Sequence, residues 1–188
     1  MLTDAPPRNH NLAAFRKSDA MTDMVLPQSG ALPVIANSIE RAMRSEKTAD
    51  VRRACSDFLI EAAEFYRVPG CSVRVLAARP LRVRELWTTE LFGDYDPATL
   101  LVRLWMRTAI RKDVTSFGTF LSTLCHEFCH HLDFHLFDFA DSWHTRGFYE
   151  RTAVLYHFAR GTERKRLYWR PLAGERWRID WQRTRSSK

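Results

Sequence analysis

One helical turn constrains this chain more than any other stretch of it. His126-Glu127-Phe128-Cys129-His130 reads HExxH and lies inside a strongly helical run. Residues four apart on a helix share a face, with Cβ atoms roughly 5–6 Å apart. Two imidazoles so placed reach a single Zn²⁺ at about 2.0–2.1 Å each. Glu127, beside them, is placed to take a proton from a zinc-activated water as general base. The same helix has a second face. Phe117, Leu121, Leu124, Phe128 and Leu132 recur at i, i+4, i+7, i+11 and i+15, a stripe that calls for burial. His126 and His130 fall across from it, with Thr119, Thr123 and Asp133. Asp113, Thr115 or Ser116 supplies the start of the helix. A helix of this kind lies between a core and a cleft, and its ligand face points to zinc-dependent hydrolysis of a protein or peptide substrate.

A catalytic zinc usually takes three protein ligands and keeps one position for water. The extended pattern HExxHxxGxxH is excluded, because Asp133 and Leu136 occupy its glycine and last histidine positions. Asp133 and Asp138 are carboxylate candidates, and Glu150 or Glu163 would serve as a glutamate from a later helix. His144 is the preferred third ligand. It stands just before a second helical pattern of Phe148, Thr152, Leu155 and Phe158 or Ala159. The connection from Phe134 to Trp143 is short enough for the two helices to fold back on each other. Asp133, three residues after His130, is a candidate to orient a ligand or the water. His131 and His135 repeat the spacing without the intervening glutamate and read as packing or surface residues. Tyr149, Tyr156 and Arg146 are candidates for stabilising an oxyanion, with nothing to choose between them.

HExxH followed by His144-x-x-x-Phe148 resembles the SprT-like (Spartan) zinc metalloproteases, over about residues 100–158. The resemblance implies His126, His130 and His144 as ligands, Glu127 as general base, and Phe148 packed behind the third ligand. It also implies a zincin-like fold, a small sheet against which the active-site helix lies. Members of that family cleave proteins, notably proteins crosslinked to DNA. Many carry a C-terminal zinc ribbon of four cysteines, whereas this chain has no CxxC.

The 188 residues suffice for one domain with extensions. Residues 31–160 are expected to form the zincin-like metallopeptidase domain, between a loosely ordered arm (1–30) and a basic, Trp-rich tail (161–188). No apolar run approaches the ~20 residues that span a bilayer. The first 30 residues lack the basic and apolar regions of a secretory signal, so a cytoplasmic location is expected. Four cysteines are too few for a disulfide framework. Cys55 and Cys71 read as reduced core residues, and Cys125 and Cys129 as thiols packing the helix rather than binding metal.

The chain reads as α+β. Helices are expected over Pro33 to Glu46 and from an N-capping Asp50 to Arg67, the second burying Val51, Ala54, Phe58, Ala62 and Phe65. Cys71 to Ala78 alternates as a strand, Arg79-Pro80 breaks it, and Glu85 to Phe92 is a second strand. Gly93-Asp94 with Asp96-Pro97 predicts a turn. Leu100 to Arg107 is a third strand, with a helix as its competitor. A strand beside the active-site helix would offer its edge to an extended substrate.

The net charge of +7 sits at one end: residues 160–188 hold ten Lys/Arg against three Asp/Glu. Lys165 to Trp181 alternates Leu167, Trp169, Trp177, Ile179 and Trp181 with Arg166, Tyr168, Arg170, Arg176, Arg178 and Asp180. Pro171-Leu172-Ala173-Gly174 provides the turn of a β-hairpin. Its Trp face packs on the domain in one reading. In another, Arg166, Arg170, Arg176 and Arg178 contact DNA or RNA. The alternative function is therefore nucleic-acid binding through the tail, with a structural or degenerate zinc site.

Overall fold

The computed structural model describes residues 1–84 and 87–186. The fold is mixed α+β, built on a small three-stranded sheet. In it β5 (Leu101–Arg107) lies between β1 (Ser72–Ala78), to which it is parallel, and β4 (Gly93–Asp96), to which it is antiparallel. Alternation decides which face is covered. Val73, Val75, Val102, Leu104 and Met106 are buried, while Arg74 and Arg103 project from the other face. Leu101 to Arg107 is thus a strand, not the competing helix.

Helix α2 (Ala31–Arg44) buries Leu32, Ala36, Ile39 and Met43, one face of a 3.6-residue period. Helix α3 (Thr48–Tyr66) packs between α2 and β1. It begins two residues before the expected cap, with Asp50 in its first turn, where a carboxylate favours the positive end of the helix dipole. Phe65 does not join its buried face: it is 36% exposed, and Leu59, Ala63 and Tyr66 are buried instead. Helix α4 (Phe117–His135) carries HExxH and lies against β4, β5 and α5 (Arg146–Arg160). Its stripe at Leu121, Leu124, Phe128 and Leu132 is fully buried.

The turn expected at Gly93-Asp94 is a strand. Gly93 is needed for close approach rather than for turning. A Cβ there would stand 2.6 Å from Thr123 Cγ2 and 2.9 Å from Glu127 Oε1. Asp94 pairs across the sheet with Arg103 at 2.7 Å. The chain turns at residues 97–100, where Asp96 accepts hydrogen bonds from Ala98 N (3.0 Å) and Thr99 Oγ1 (2.7 Å). The strand expected over 85–92 falls partly outside the described residues. Its described part, β3 (Trp87–Glu90), pairs with β2 (Leu81–Arg84) as a separate antiparallel ribbon.

Residues 1–30, expected as a loose arm, carry α1 (Leu12–Ala20), which packs on α5 with Phe15 and Ser18 buried. The crossing is close, since a Cβ on Gly147 would lie 2.0 Å from Ser18 O. Hydrogen bonds compensate for the sparse apolar content of this segment. Arg151, 1% exposed, donates to the carbonyls of Ser18 (3.0 Å) and Met21 (2.7 Å).

A C-terminal hairpin forms from β6 (Trp169–Leu172) and β7 (Arg176–Ile179), but its turn lies at residues 173–175, and Pro171 and Leu172 of the expected turn pair within the ladder. Trp181 is not part of it. Asp180 Oδ1 accepts from Arg183 N at 3.1 Å, a cap that turns the chain into α6 (Trp181–Ser186). Leu167 and Ile179 are buried, and Trp169 donates to Glu150 Oε1 at 3.3 Å, so the apolar face packs on α5. No helix among the described residues is long and apolar enough to cross a membrane.

Candidate metal centre

Ser116 begins the ligand helix, its side chain accepting from Thr119 N at 3.2 Å. Helical spacing then brings His126 Nε2 to 3.2 Å from His130 Nε2. The third imidazole comes from the residue before α5. Thr145 caps that helix by accepting from Phe148 N at 3.0 Å, and His144, just outside, points back at α4. His144 Nε2 lies 3.1 Å from His126 Nε2, and ligand atoms of all three histidines lie within 4.8 Å of one another. The side chain of Phe148, 0% exposed, packs its ring against all three imidazoles.

This donor set fits a tetrahedral cation. Two nitrogens at about 2.0–2.1 Å from a tetrahedral centre stand about 3.3–3.4 Å apart, within a few tenths of an ångström of the two distances found from His126. Burial, then the neighbouring imidazoles, holds the pKa of His126 well below the ordinary range and lowers that of His130 to about 3. Both are therefore neutral near pH 7, as ligands must be.

The second nitrogen of each ring meets a different environment. His130 Nδ1 is 2.7 Å from Ser142 Oγ, and that hydroxyl donates to Asp133 Oδ2 at 2.8 Å. Asp133 Oδ1 accepts from Arg151 at 2.8 Å, with both side chains buried. Burial pushes the Asp133 carboxyl up, and Arg151 and Ser142 act against that. Since the serine proton goes to Asp133, Nδ1 of His130 carries the donated hydrogen and Nε2 keeps its lone pair. His126 Nδ1 is buried without a partner among the described residues. His144 Nδ1 faces Asp4 Oδ2 at 3.4 Å.

Glu127 is 5% exposed and lies under Gly93 of the edge strand. Burial, and secondarily the charge of Asp94, raises its pKa to about 8. It opens with His126 into a cleft of about 850 Å³ between α4, α5 and the two chain ends. Phe92 and Gly93 line one side, and Leu167, Ile179 and Trp181 the other.

Comparison with family models, with curated proteins and with solved structures finds no match for this chain.

The other candidates separate clearly. Glu150 is held by Arg164 (3.0 Å) and Trp169, away from the histidines, and Glu163 and Asp138 are exposed. Asp133 contributes through Ser142 rather than as a ligand. His131 is a packing residue, 0% exposed, hydrogen-bonded to Pro69 O and Tyr95 OH at 2.8 Å each. Cys125 and Cys129 are buried free thiols, and burial raises both pKa values, that of Cys129 to about 12. Tyr149 donates to Leu2 O at 3.0 Å, and Arg146 is engaged by Asp19. Tyr156 packs at Gly118, nine residues before Glu127 and so about 13 Å along the helix. Tyr149 and Tyr156 both line the cleft into which Glu127 opens.

Of the tail arginines, Arg170 pairs with Asp180 at 2.6 Å and Arg176 is half-buried. Arg166 and Arg178 are exposed, without an ion pair among the described residues. Asp4, Ser142, Gly93 and Arg151 escape a sequence reading, because their roles arise between segments up to 140 residues apart.

Proposed function

We propose that this chain is a zinc-dependent metallopeptidase with a zincin-like, SprT-like core. The observation that carries the reading is the convergence of three imidazole nitrogens, with His126 and the buried Glu127 beside it opening into one cleft. A purely structural site would not need that glutamate. His126, His130 and His144 would hold Zn²⁺, which supplies a Lewis acid for the scissile carbonyl and for an attacking water. Ionised by the nearby dication, whose charge opposes the effect of burial, Glu127 would take the proton of the water and deliver it to the leaving amine. The β4 edge, where the sheet ends, offers backbone groups to an extended peptide running over Gly93. The cleft beyond, walled by Leu167, Ile179 and Trp181, receives side chains and excludes water.

The test is Glu127→Gln. It retains one zinc per chain and lowers peptide hydrolysis by about 10²–10⁴-fold. Hydrolysis at the wild-type rate would overturn the mechanism. No zinc in the correctly folded wild type would overturn the metal centre itself.

A second reading, nucleic-acid binding by the tail, has one specific support. Arg178, exposed and without an ion pair among the described residues, stands directly opposite Arg170 across the hairpin, and Asp180 engages only Arg170, so an anion would find a cation at Arg178. Binding of DNA or RNA that falls steeply between 50 and 200 mM salt is its signature, and salt-insensitive binding would reject it.

A further inference from the structure

His144 is not held in place by the element that carries it. It lies outside α5, and its backbone is gripped by residue 4. His144 N donates to Asp4 Oδ2 at 2.8 Å, and Asp4 N donates to His144 O at 2.9 Å. The same Oδ2 stands 3.4 Å from His144 Nδ1. One carboxylate therefore addresses both the backbone and the ring of the third ligand. An acceptor at Nδ1 favours the tautomer whose Nε2 lone pair is free, and Nε2 is the atom that meets His126.

Asp4 is in turn held by the far end of the chain. Thr3 N donates to Trp177 O at 2.8 Å, Trp177 N donates to Thr3 Oγ1 at 2.7 Å, and Ile179 N donates to Met1 O at 3.2 Å. Leu2 O accepts from Tyr149 OH, and Thr3 is 3% exposed. Residues 1–3 thus lie along β7 as a clipped extension of the hairpin, and Asp4 is the first residue beyond the clip.

We infer that Asp4 is the positioning residue of the third metal ligand, and that the C-terminal hairpin keeps it there through residues 1–3. The inference rests on the metal-centre reading above. It gives residues 1–4 and the C-terminal hairpin a shared role: they complete a site whose other two ligands share one helix. The side chains of Asp4 and His144 are 49% and 34% exposed, so solvent screens their mutual charge. The contribution of Asp4 is orientation, through the hydrogen bonds to the backbone and the 3.4 Å contact with the ring.

The experiment is zinc affinity by chelator competition on the full chain: wild type, Asp4→Ala, Asp4→Asn, Thr3→Val, and Asp4→Ala with Thr3→Val. Thermal unfolding of each metal-free protein is measured alongside. Asp4→Ala is expected to weaken zinc about 10–100-fold while the metal-free melting temperature stays near wild type. Asp4→Asn, which keeps an acceptor for His144 N, recovers part of that loss. Thr3→Val weakens zinc less than Asp4→Ala and adds little to it in the double variant, since both act through the same contact. Zinc affinity in Asp4→Ala within twofold of wild type overturns the inference and leaves the metal centre standing. So does a loss that merely tracks metal-free stability. A wild type that binds no zinc overturns the inference together with the metal centre.

Discussion

The two halves of the candidate metal centre are held by different physics. His126 and His130 stand on one helix, one turn apart, and the buried stripe of α4 holds them toward the cleft. His144 stands in a connection, gripped by Asp4 from the other end of the chain. The first half depends on local geometry and core burial. The second depends on contacts that form only when both chain ends have docked.

The sharpest way to break this contrast is at the buried pair behind His130. Arg151→Met leaves the Asp133 carboxylate buried without its guanidinium, where the pair is 1% and 0% exposed. Such a loss costs about 3–5 kcal/mol, read from urea unfolding of the metal-free protein. A change below about 1 kcal/mol would show that the helix half is not anchored through this network. Ser142→Ala comes next. It removes the acceptor at His130 Nδ1 while leaving α4 intact, and zinc affinity should fall about tenfold. If Ser142→Ala costs as much as Asp4→Ala, the two halves are equally dependent on their outer partners and the contrast dissolves. The smallest effect is expected at the tail. Arg166→Ala with Arg178→Ala changes exposed groups only and should move stability by less than about 0.5 kcal/mol. Zinc affinity should be untouched, and a measurable loss would tie the cationic face of the hairpin to the third ligand.

Much of the ligand helix is legible in the sequence because it is a periodic object. Leu121, Leu124, Phe128 and Leu132 declare their burial by spacing, and Ser116 declares the start by its side chain. The parallel partners β1 and β5 are legible for the same reason, as alternation of Val73 and Val75, and of Val102, Leu104 and Met106, with polar residues. Gly93 misleads, because a glycine before an aspartate signals a turn, whereas here the missing Cβ is filled by Thr123 and Glu127 from a distant helix. Residues 1–30 mislead likewise. Their polar, proline-containing composition suggests disorder, but Ser18, Asp19 and Asp4 find buried or half-buried partners 127 to 140 residues away.

By itself the sequence determined the HExxH pair, the glutamate between its histidines, the stripe opposite them and the candidacy of His144. Each is a matter of spacing along a helix or of residue chemistry, which a linear pattern records. Tertiary structure alone decided that His144 rather than Glu150 meets the pair, that Gly93 brings an edge strand onto Glu127, and that Asp4 steadies the third imidazole. Those outcomes depend on which segments are neighbours in space. That is set by how helices, sheet and chain ends bury one shared core, and no local period encodes it.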